Sequence, residues 1–323
     1  MMDWTDRHCR VLHRLLSKRA RLYTEMITAD AIIRGDRDRL LGFSAMQHPV
    51  TLQLGGSEPN KLAEATQIAS ERGYDEINLN AGCPSDRVQS GCFGAILMRT
   101  PELAADCVAA MRDATNTPVT VKCRIGVDEQ NPEDALPRFV EACAAAGVTT
   151  FAVHARKAWL SGLSPAENRQ VPPLDYGLVY RLKQRRPDLT IIINGGIVSL
   201  DDAESHLVRV DGVMLGRAAY QHPAILAEVD ERFFGECGHG LDEAVRQYTD
   251  YVADQLQNGV PLNAMSKHML GLFQGQRGAR QFRRHLSENA VRKGAGISVL
   301  LDALAFVQPG VMARLDLAIT SPA

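Results

Sequence analysis

No apolar run in this 323-residue chain approaches the roughly 20 residues that a membrane-spanning helix needs. The N-terminus, Met1-Met2-Asp3-Trp4-Thr5-Asp6-Arg7-His8, carries acids and lacks an apolar h-region, which argues against a secretory signal. CxxC pairs are absent too. The seven cysteines (Cys9, Cys83, Cys92, Cys107, Cys123, Cys143, Cys237) are scattered and odd in number. Neither a disulfide framework nor a zinc site is therefore expected, and a reducing cytosol fits. No GxGxxG follows an early strand, which argues against a tightly held dinucleotide. There is no low-complexity tract. What remains is a cytoplasmic protein with no metal and no membrane contact, expected to act as a monomer.

Hydrophobic content of 45% and charge of 23% are ordinary for a globular chain, and the length suits one large domain plus a smaller one. The net charge of −2 hides an asymmetry. From Lys267 to Lys293 there are seven Lys/Arg (Lys267, Arg277, Arg280, Arg283, Arg284, Arg292, Lys293) against Glu288 alone, which gives +6 there and leaves −8 for the remainder. A basic surface on an acidic protein points to a polyanionic partner.

The first two-thirds alternate β-branched runs with amphipathic stretches. Strands are expected at Leu22–Glu25, Val50–Leu54, Glu76–Leu79, Pro118–Lys122, Thr149–Val153, Thr190–Ile193 and Gly212–Leu215. Helices are expected between them, at Lys61–Arg72, Pro101–Ala114, Pro132–Ala146, Tyr176–Arg186 and Leu200–Val208. This alternation implies right-handed crossovers and a parallel sheet. The fold expected is a (β/α)8 TIM barrel whose first strand is truncated, with a doubly wound sheet as the alternative. The barrel is favoured because Gln53, Asn78, Asn80, Lys122, His154 and Asn194 fall at C-terminal strand ends, where barrel active sites are built. After about Cys237 strand signals vanish. Helices are expected at Asp242–Leu256, Ala264–Gln274, Ala279–Glu288, Ile297–Phe306 and a last short stretch. The expected domains are 1–235 (barrel) and 240–323 (helical), hinged at Gly235-Glu236-Cys237-Gly238-His239-Gly240.

Chemistry concentrates in Asn78-Leu79-Asn80-Ala81-Gly82-Cys83-Pro84-Ser85. A strand leads there into a turn that exposes one thiol. Two glycine turns come late: Asn194-Gly195-Gly196-Ile197 and Gly216-Arg217-Ala218. The loops after the last two strands of a barrel frequently hold phosphate, since glycine lets backbone amides approach the oxygens. Arg217 would add a paired charge. Gln53, Lys122 and His154 would meet an electron-rich ring. One phosphate site with amide, ammonium and imidazole donors suits FMN. Each feature also has a plainer reading: tight turns, a strand-end lysine reaching solvent, a core histidine bonded to backbone. Arg277, Arg280 and Arg284 are spaced to share a helix face. Arg156-Lys157-Ala158-Trp159 running on to Asn168-Arg169 places cations beside a loop tryptophan, which suits RNA contact. A solvated face and a packed tryptophan are the alternatives.

Taken together these motifs resemble the tRNA-dihydrouridine synthases. The resemblance covers nearly the whole chain: Met2-Asp3-Trp4-Thr5-Asp6-Arg7, Gln53-Leu54-Gly55-Gly56, the segment around Cys83, Val121-Lys122-Cys123-Arg124-Ile125-Gly126, Val153-His154-Ala155-Arg156, Asn194-Gly195-Gly196-Ile197 and Leu215-Gly216-Arg217. The stretch from Lys157 through Leu160-Ser161-Gly162-Leu163-Ser164-Pro165 to Asn168-Arg169 and Pro172-Pro173-Leu174 is similar to the A subfamily, which acts on D-loop positions 20 and 20a. Family members carry a strand ending Ala-Pro ahead of the Met-Met-Asp segment, so an eighth stave would lie before Met1.

The resemblance implies FMN in the barrel, NADPH as reductant and a helical domain gripping tRNA. Met1, Met2, Gln53, Lys122, His154, Asn194, Gly195, Gly196, Gly216 and Arg217 would hold FMN. Cys83 would give a proton to C5 of uracil, as the thiol form that prevails in ordinary cysteine at neutral pH can. Asn80, Arg156, Asn168, Arg169, Arg277 and Arg280 would meet the tRNA, whose target base leaves its stack most easily from a single-stranded loop. Two other readings stay open: a flavin-dependent reductase of a free pyrimidine, and a flavin-free tRNA-binding module.

Overall fold

The computed structural model describes residues 1–85, 93–238 and 240–307. Cys92, His239 of the expected hinge and the last helical stretch expected after Phe306 lie outside the described residues. The chain divides into two compact units: Met1–Met2 with Tyr23–Gly216, and Asp3–Leu22 with Arg217–Ala323.

In the first unit the strands are β1 Leu22–Thr28, β2 Val50–Gly55, β3 Glu76–Ala81, β4 Val119–Arg124, β5 Thr150–His154, β6 Thr190–Asn194 and β7 Gly212–Met214. All seven match expected strands. They form one sheet in chain order, parallel from β2 to β7. In-order parallel strands joined by helices make this a TIM-barrel-type fold, seen here with seven staves. The connecting helices start where sequence chemistry dictates. Pro59, Pro101 and Pro132 each open a helix at a position where a missing N–H costs nothing. Asp175 caps Tyr176–Arg185 through Leu178 N, and Ser199 with Asp202 forms a capping box on Leu200–Leu207.

The pleat sorts side chains by chemistry. Leu52, Leu54, Ile77, Leu79, Val121, Cys123, Phe151, Val153, Ile191 and Ile193 are fully buried and belong to the face that packs under the helices. The residues between them point the other way, into the strand layer: Thr51 and Gln53 on β2, Glu76, Asn78 and Asn80 on β3, Thr120, Lys122 and Arg124 on β4, His154 on β5, Asn194 on β6. Register aligns them as Gln53–Asn78–Thr120, Asn80–Lys122 and Arg124–His154–Asn194.

The second unit is helical and built from both ends of the chain. Helix Arg7–Leu16 is capped by Asp6, whose carboxylate accepts from the backbone of His8 and Cys9, each at 3.0 Å. Its Val11, Leu12, Leu15 and Leu16 join Val245, Tyr248, Val252, Phe273, Phe282 and Leu300 in one core. Asp6 also meets buried His268 at 2.9 Å and Lys267 at 3.1 Å. The His268 bond, the backbone cap and the Lys267 ammonium hold its carboxyl below the usual carboxylate range despite burial. The helix expected over Ala264–Gln274 is instead broken into Leu262–Ser266 and a tight turn at Lys267–Met269. Beyond the turn, bare Gly271 (whose Cβ would stand 1.9 Å from the Gln221 carbonyl oxygen) lets the chain pack against that carbonyl, and Gly275 at φ +84° ends the segment.

Helix Ala279–Asn289 begins after Gly278, so Arg277 stands outside it and does not share a helix face with Arg280 and Arg284. Gly278 combines φ +87° with a Cβ position 1.8 Å from the Phe306 carbonyl oxygen. Gly278→Ala is expected to destabilise the protein by about 2 kcal/mol or more, seen as a lowered melting temperature. An unchanged Tm would contradict this backbone constraint.

Candidate active site

β3 turns into a loop at Ala81, and that loop is pinned from several sides. Asn80 Oδ1 accepts the backbone N–H of Gly82 at 3.0 Å and of Cys83 at 2.9 Å. The Cys83 carbonyl accepts from Ala95 N at 2.9 Å. Arg124 Nε donates to the Gly82 carbonyl at 3.1 Å. The Cys83 thiol lies 3.5 Å from Ser85 Oγ and is half-buried.

Lys122 is drawn inward beside Asn80. Desolvation, reinforced by the neighbouring Arg124, pushes its ammonium down to about 8. The same two causes act on His154, whose pKa is held well below the ordinary 6.5 by burial and then by Arg124, Lys122, Arg156 and Arg169. The imidazole is neutral at neutral pH. Every charge that depresses it is a cation, so this end of the strand layer is strongly electropositive. Burial likewise lowers Arg124, to about 10.

The β6 turn is shaped by glycine. Gly195 has φ +112°, and a Cβ there would lie 2.5 Å from His154 Cδ2; Gly196 has φ +73°, with a Cβ position 2.6 Å from Leu174 Cδ1. Tyr176 OH donates to the Gly195 carbonyl at 2.7 Å, and Asn194 Nδ2 donates to the Met214 carbonyl at 2.7 Å. Bare backbone beside a cation cluster is the donor set that an anionic, planar, phosphate-bearing group such as FMN requires. The residues present fit that group. Among the described residues no cluster of three or more His, Cys, Asp or Glu could hold a metal ion.

Gln53, Asn80, Cys83, Lys122, His154, Asn194, Gly195 and Gly196 thus all lie at the C-terminal end of one sheet. Gly216 follows β7, with Met1 Sδ 3.8 Å from its Cβ position; Met1 and Met2 are both exposed. Arg217 opens the short helix Arg217–Gln221 of the second unit, where Arg277 and Arg280 also lie exposed.

Beyond β5, Arg156 donates to the carbonyls of Gln170, at 3.2 Å, and Pro172. Lys157 stands 5.3 Å from the Trp159 ring, and Arg169 is exposed. Asn168 differs from expectation. It is fully buried. Its Oδ1 accepts from Trp159 N at 2.7 Å, and its Nδ2 donates to the carbonyls of Trp159, Leu163 and Ser164. Both ends of the amide serve the loop's own backbone, so Asn168 shapes the loop and does not reach out of it.

The sequence profile of the dihydrouridine synthase family (Dus) matches residues 1–308. The chain belongs to the dihydrouridine synthase family. This Dus chain is 57% identical over 304 residues to the tRNA-dihydrouridine(20/20a) synthase of Xanthomonas axonopodis pv. citri, covering 94% of this chain and 91% of that one. It is 56% identical over 310 residues to the protein of the same name from Escherichia coli K12, covering 95% and 90%. Among solved structures, morphinone reductase superposes with a TM-score of 0.51 over 70% of this chain and 81% of that one, at 13% identity, a likeness of fold. The family is one of oxidoreductases, and this Dus chain is an enzyme of that class.

Arg124 was missed as a site residue in the sequence, although the alternation Thr120, Lys122, Arg124 puts it on the inner face with Lys122. Besides Gly82 it donates to the Lys157 carbonyl at 3.2 Å and the Asn168 carbonyl at 2.9 Å, so one guanidinium joins the Cys83 loop to the 157–168 loop. An ammonium lacks that planar fork. Arg124→Lys is expected to free the 157–168 loop, read as faster hydrogen exchange and proteolysis there at an almost unchanged Tm. Wild-type protection in that variant would remove Arg124 from this role.

Proposed function

We infer that this chain uses FMN and NADPH to reduce the C5–C6 double bond of uridine to 5,6-dihydrouridine in the D-loop of tRNA, at positions 20 and 20a. The observation that carries the reading is the pinned Cys83 loop opening onto the electropositive strand ends of Lys122, Arg124 and His154. Family membership and the names of the relatives support the substrate. Bound FMN would supply hydride to C6, with NADPH as the electron source.

The chain's own residues do the rest. Gln53, Lys122, neutral His154, the Asn194–Gly196 turn and Gly216 hold the cofactor against the strand ends. Asn80 keeps one N–H of its amide for an acceptor on the base, because the other donates to Gln53 Oε1 and its oxygen is filled by two backbone donors. Cys83 Sγ gives its proton to C5 and recovers one from solvent, which balances the hydride added at C6. Exposed Arg277 and Arg280, with Arg169, meet tRNA phosphates.

The test is direct. The purified chain is expected to be yellow. Cys83→Ala is expected to keep its flavin and its bleaching by NADPH while reduction of D-loop uridine falls by roughly 10²–10⁴-fold. A colourless protein, or equal turnover by the variant, would overturn the reading. Lys122 adds a pH signature. Its ammonium is charged below about pH 8 and loses its proton above, so an anionic cofactor meets the full charge only on the acid side. FMN affinity is expected to fall above pH 8, by about tenfold per unit at most, and Lys122→Met should flatten the profile.

A further inference from the structure

Below the Cys83 loop the inner face of β2–β4 carries a continuous chain of hydrogen bonds. Tyr23 OH, Thr51 Oγ1 and Thr120 Oγ1 all donate to Glu76 Oε1, at 3.0, 3.3 and 2.9 Å. Asn78 Nδ2 donates to Thr120 Oγ1 at 2.8 Å, Gln53 Nε2 to Asn78 Oδ1 at 2.9 Å, and Asn80 Nδ2 to Gln53 Oε1 at 2.7 Å. The last link is Asn80 Oδ1, which accepts from the backbone of Gly82 and Cys83.

This chain has one direction, and both ends fix it. A backbone N–H can only donate, so Asn80 must present its oxygen to the loop and its NH₂ to Gln53. A carboxylate oxygen already receiving hydroxyls accepts, so Thr120 spends its single hydrogen on Glu76 and must accept from Asn78. Each amide between is then set by its neighbour. Turning any one of them over would face N–H to N–H or oxygen to oxygen. Glu76, Asn78, Thr120, Gln53 and Asn80 are all buried, so no bulk water repairs such a mismatch, and a buried polar group left unmatched is costly.

We propose that Glu76 and Thr120 are positioning residues that act through Asn78 and Gln53 to orient the Asn80 amide and thereby hold the Cys83 backbone in place. Glu76 supplies the acceptor that ends the chain, and Thr120 turns a carboxylate acceptor into a hydroxyl acceptor for Asn78. Their meaning for catalysis rests on the function proposed above. Their effect on the Cys83 loop does not.

The experiment separates the two. Amide hydrogen exchange of Gly82 and Cys83 is measured on the full chain without flavin or tRNA, in Thr120→Val and Thr120→Ser. Valine matches the shape of threonine but can neither accept from Asn78 nor donate to Glu76; serine keeps the hydroxyl. In Thr120→Val these two amides are expected to exchange about tenfold faster, with the β3 and β4 ladder amides unchanged, and Thr120→Ser is expected to restore protection. A structural lesion alone would loosen the ladder with the loop and would not be rescued by serine. In flavin-loaded enzyme, Thr120→Val should slow uridine reduction about tenfold while NADPH bleaching is unchanged. If Thr120→Val does not accumulate, Thr120→Cys replaces it, with a smaller loss expected. Wild-type exchange of Gly82 and Cys83 in the folded valine or cysteine variant overturns the proposal, as does failure of serine to rescue. An enzyme inactive on tRNA with the exchange pattern intact counts against the function and leaves the positioning role standing.

Discussion

Polar side chains sealed inside a strand layer must satisfy one another, and the candidate site depends on that constraint. Parallel strands flanked by helices give their outer positions to Leu, Ile, Val and Phe. The inner positions of β2, β3 and β4 carry amides, hydroxyls and charges instead. Such a face folds only if every donor finds an acceptor. The solution adopted runs from one buried carboxylate, through hydroxyl and amide groups, to the backbone of a single cysteine. The anchoring of the Gly82 and Cys83 backbone by Asn80 is therefore a by-product of satisfying the interior.

Charge is distributed by a related logic. Lys122, Arg124 and His154 lie on the same face as that amide chain but nearer the strand ends. Burial weakens each one's hold on its proton. The histidine yields outright and stays neutral; the lysine is left close to its titration point; the guanidinium keeps its charge and spends its hydrogens on three carbonyls. Three basic groups within a few positions of one another thus take three different states. Burial pushes all three the same way, and their different ordinary values, 6.5 for the imidazole, 10.5 for the ammonium and 12.5 for the guanidinium, leave them in different states near neutral pH.

Much of this was legible in the sequence. The seven strands stood out because β-branched runs alternate with long amphipathic stretches, and their C-terminal ends flagged Gln53, Asn80, Lys122, His154 and Asn194. Three things were not legible. Arg124 sits in a motif already noted, but its partners are carbonyls 33 to 44 residues away, and carbonyls carry no residue-type signal. Asn168 lies in a polar loop that reads as an outward surface, whereas its amide folds inward to replace missing backbone partners. Spacing alone puts Arg277 on one helix face with Arg280 and Arg284, and the left-handed Gly278 removes it. The period-two pattern Glu76, Asn78, Asn80 beside Thr120, Lys122, Arg124 was in plain view, and reading it as one inner face would have exposed the hydrogen-bond chain.

The helical unit is not contiguous in the chain. Helix Arg7–Leu16 precedes the whole sheet in the chain, yet the core that receives its Val11, Leu12, Leu15 and Leu16 is contributed by residues from Leu226 onward. On the ribosome that apolar stripe must wait for some two hundred further residues before it is covered. Strand pairing in the intervening stretch can finish meanwhile, since neighbours in the sheet are neighbours in sequence. A nascent chain halted before Leu226 would therefore hold a sheet that has paired and a helix whose apolar stripe is still uncovered.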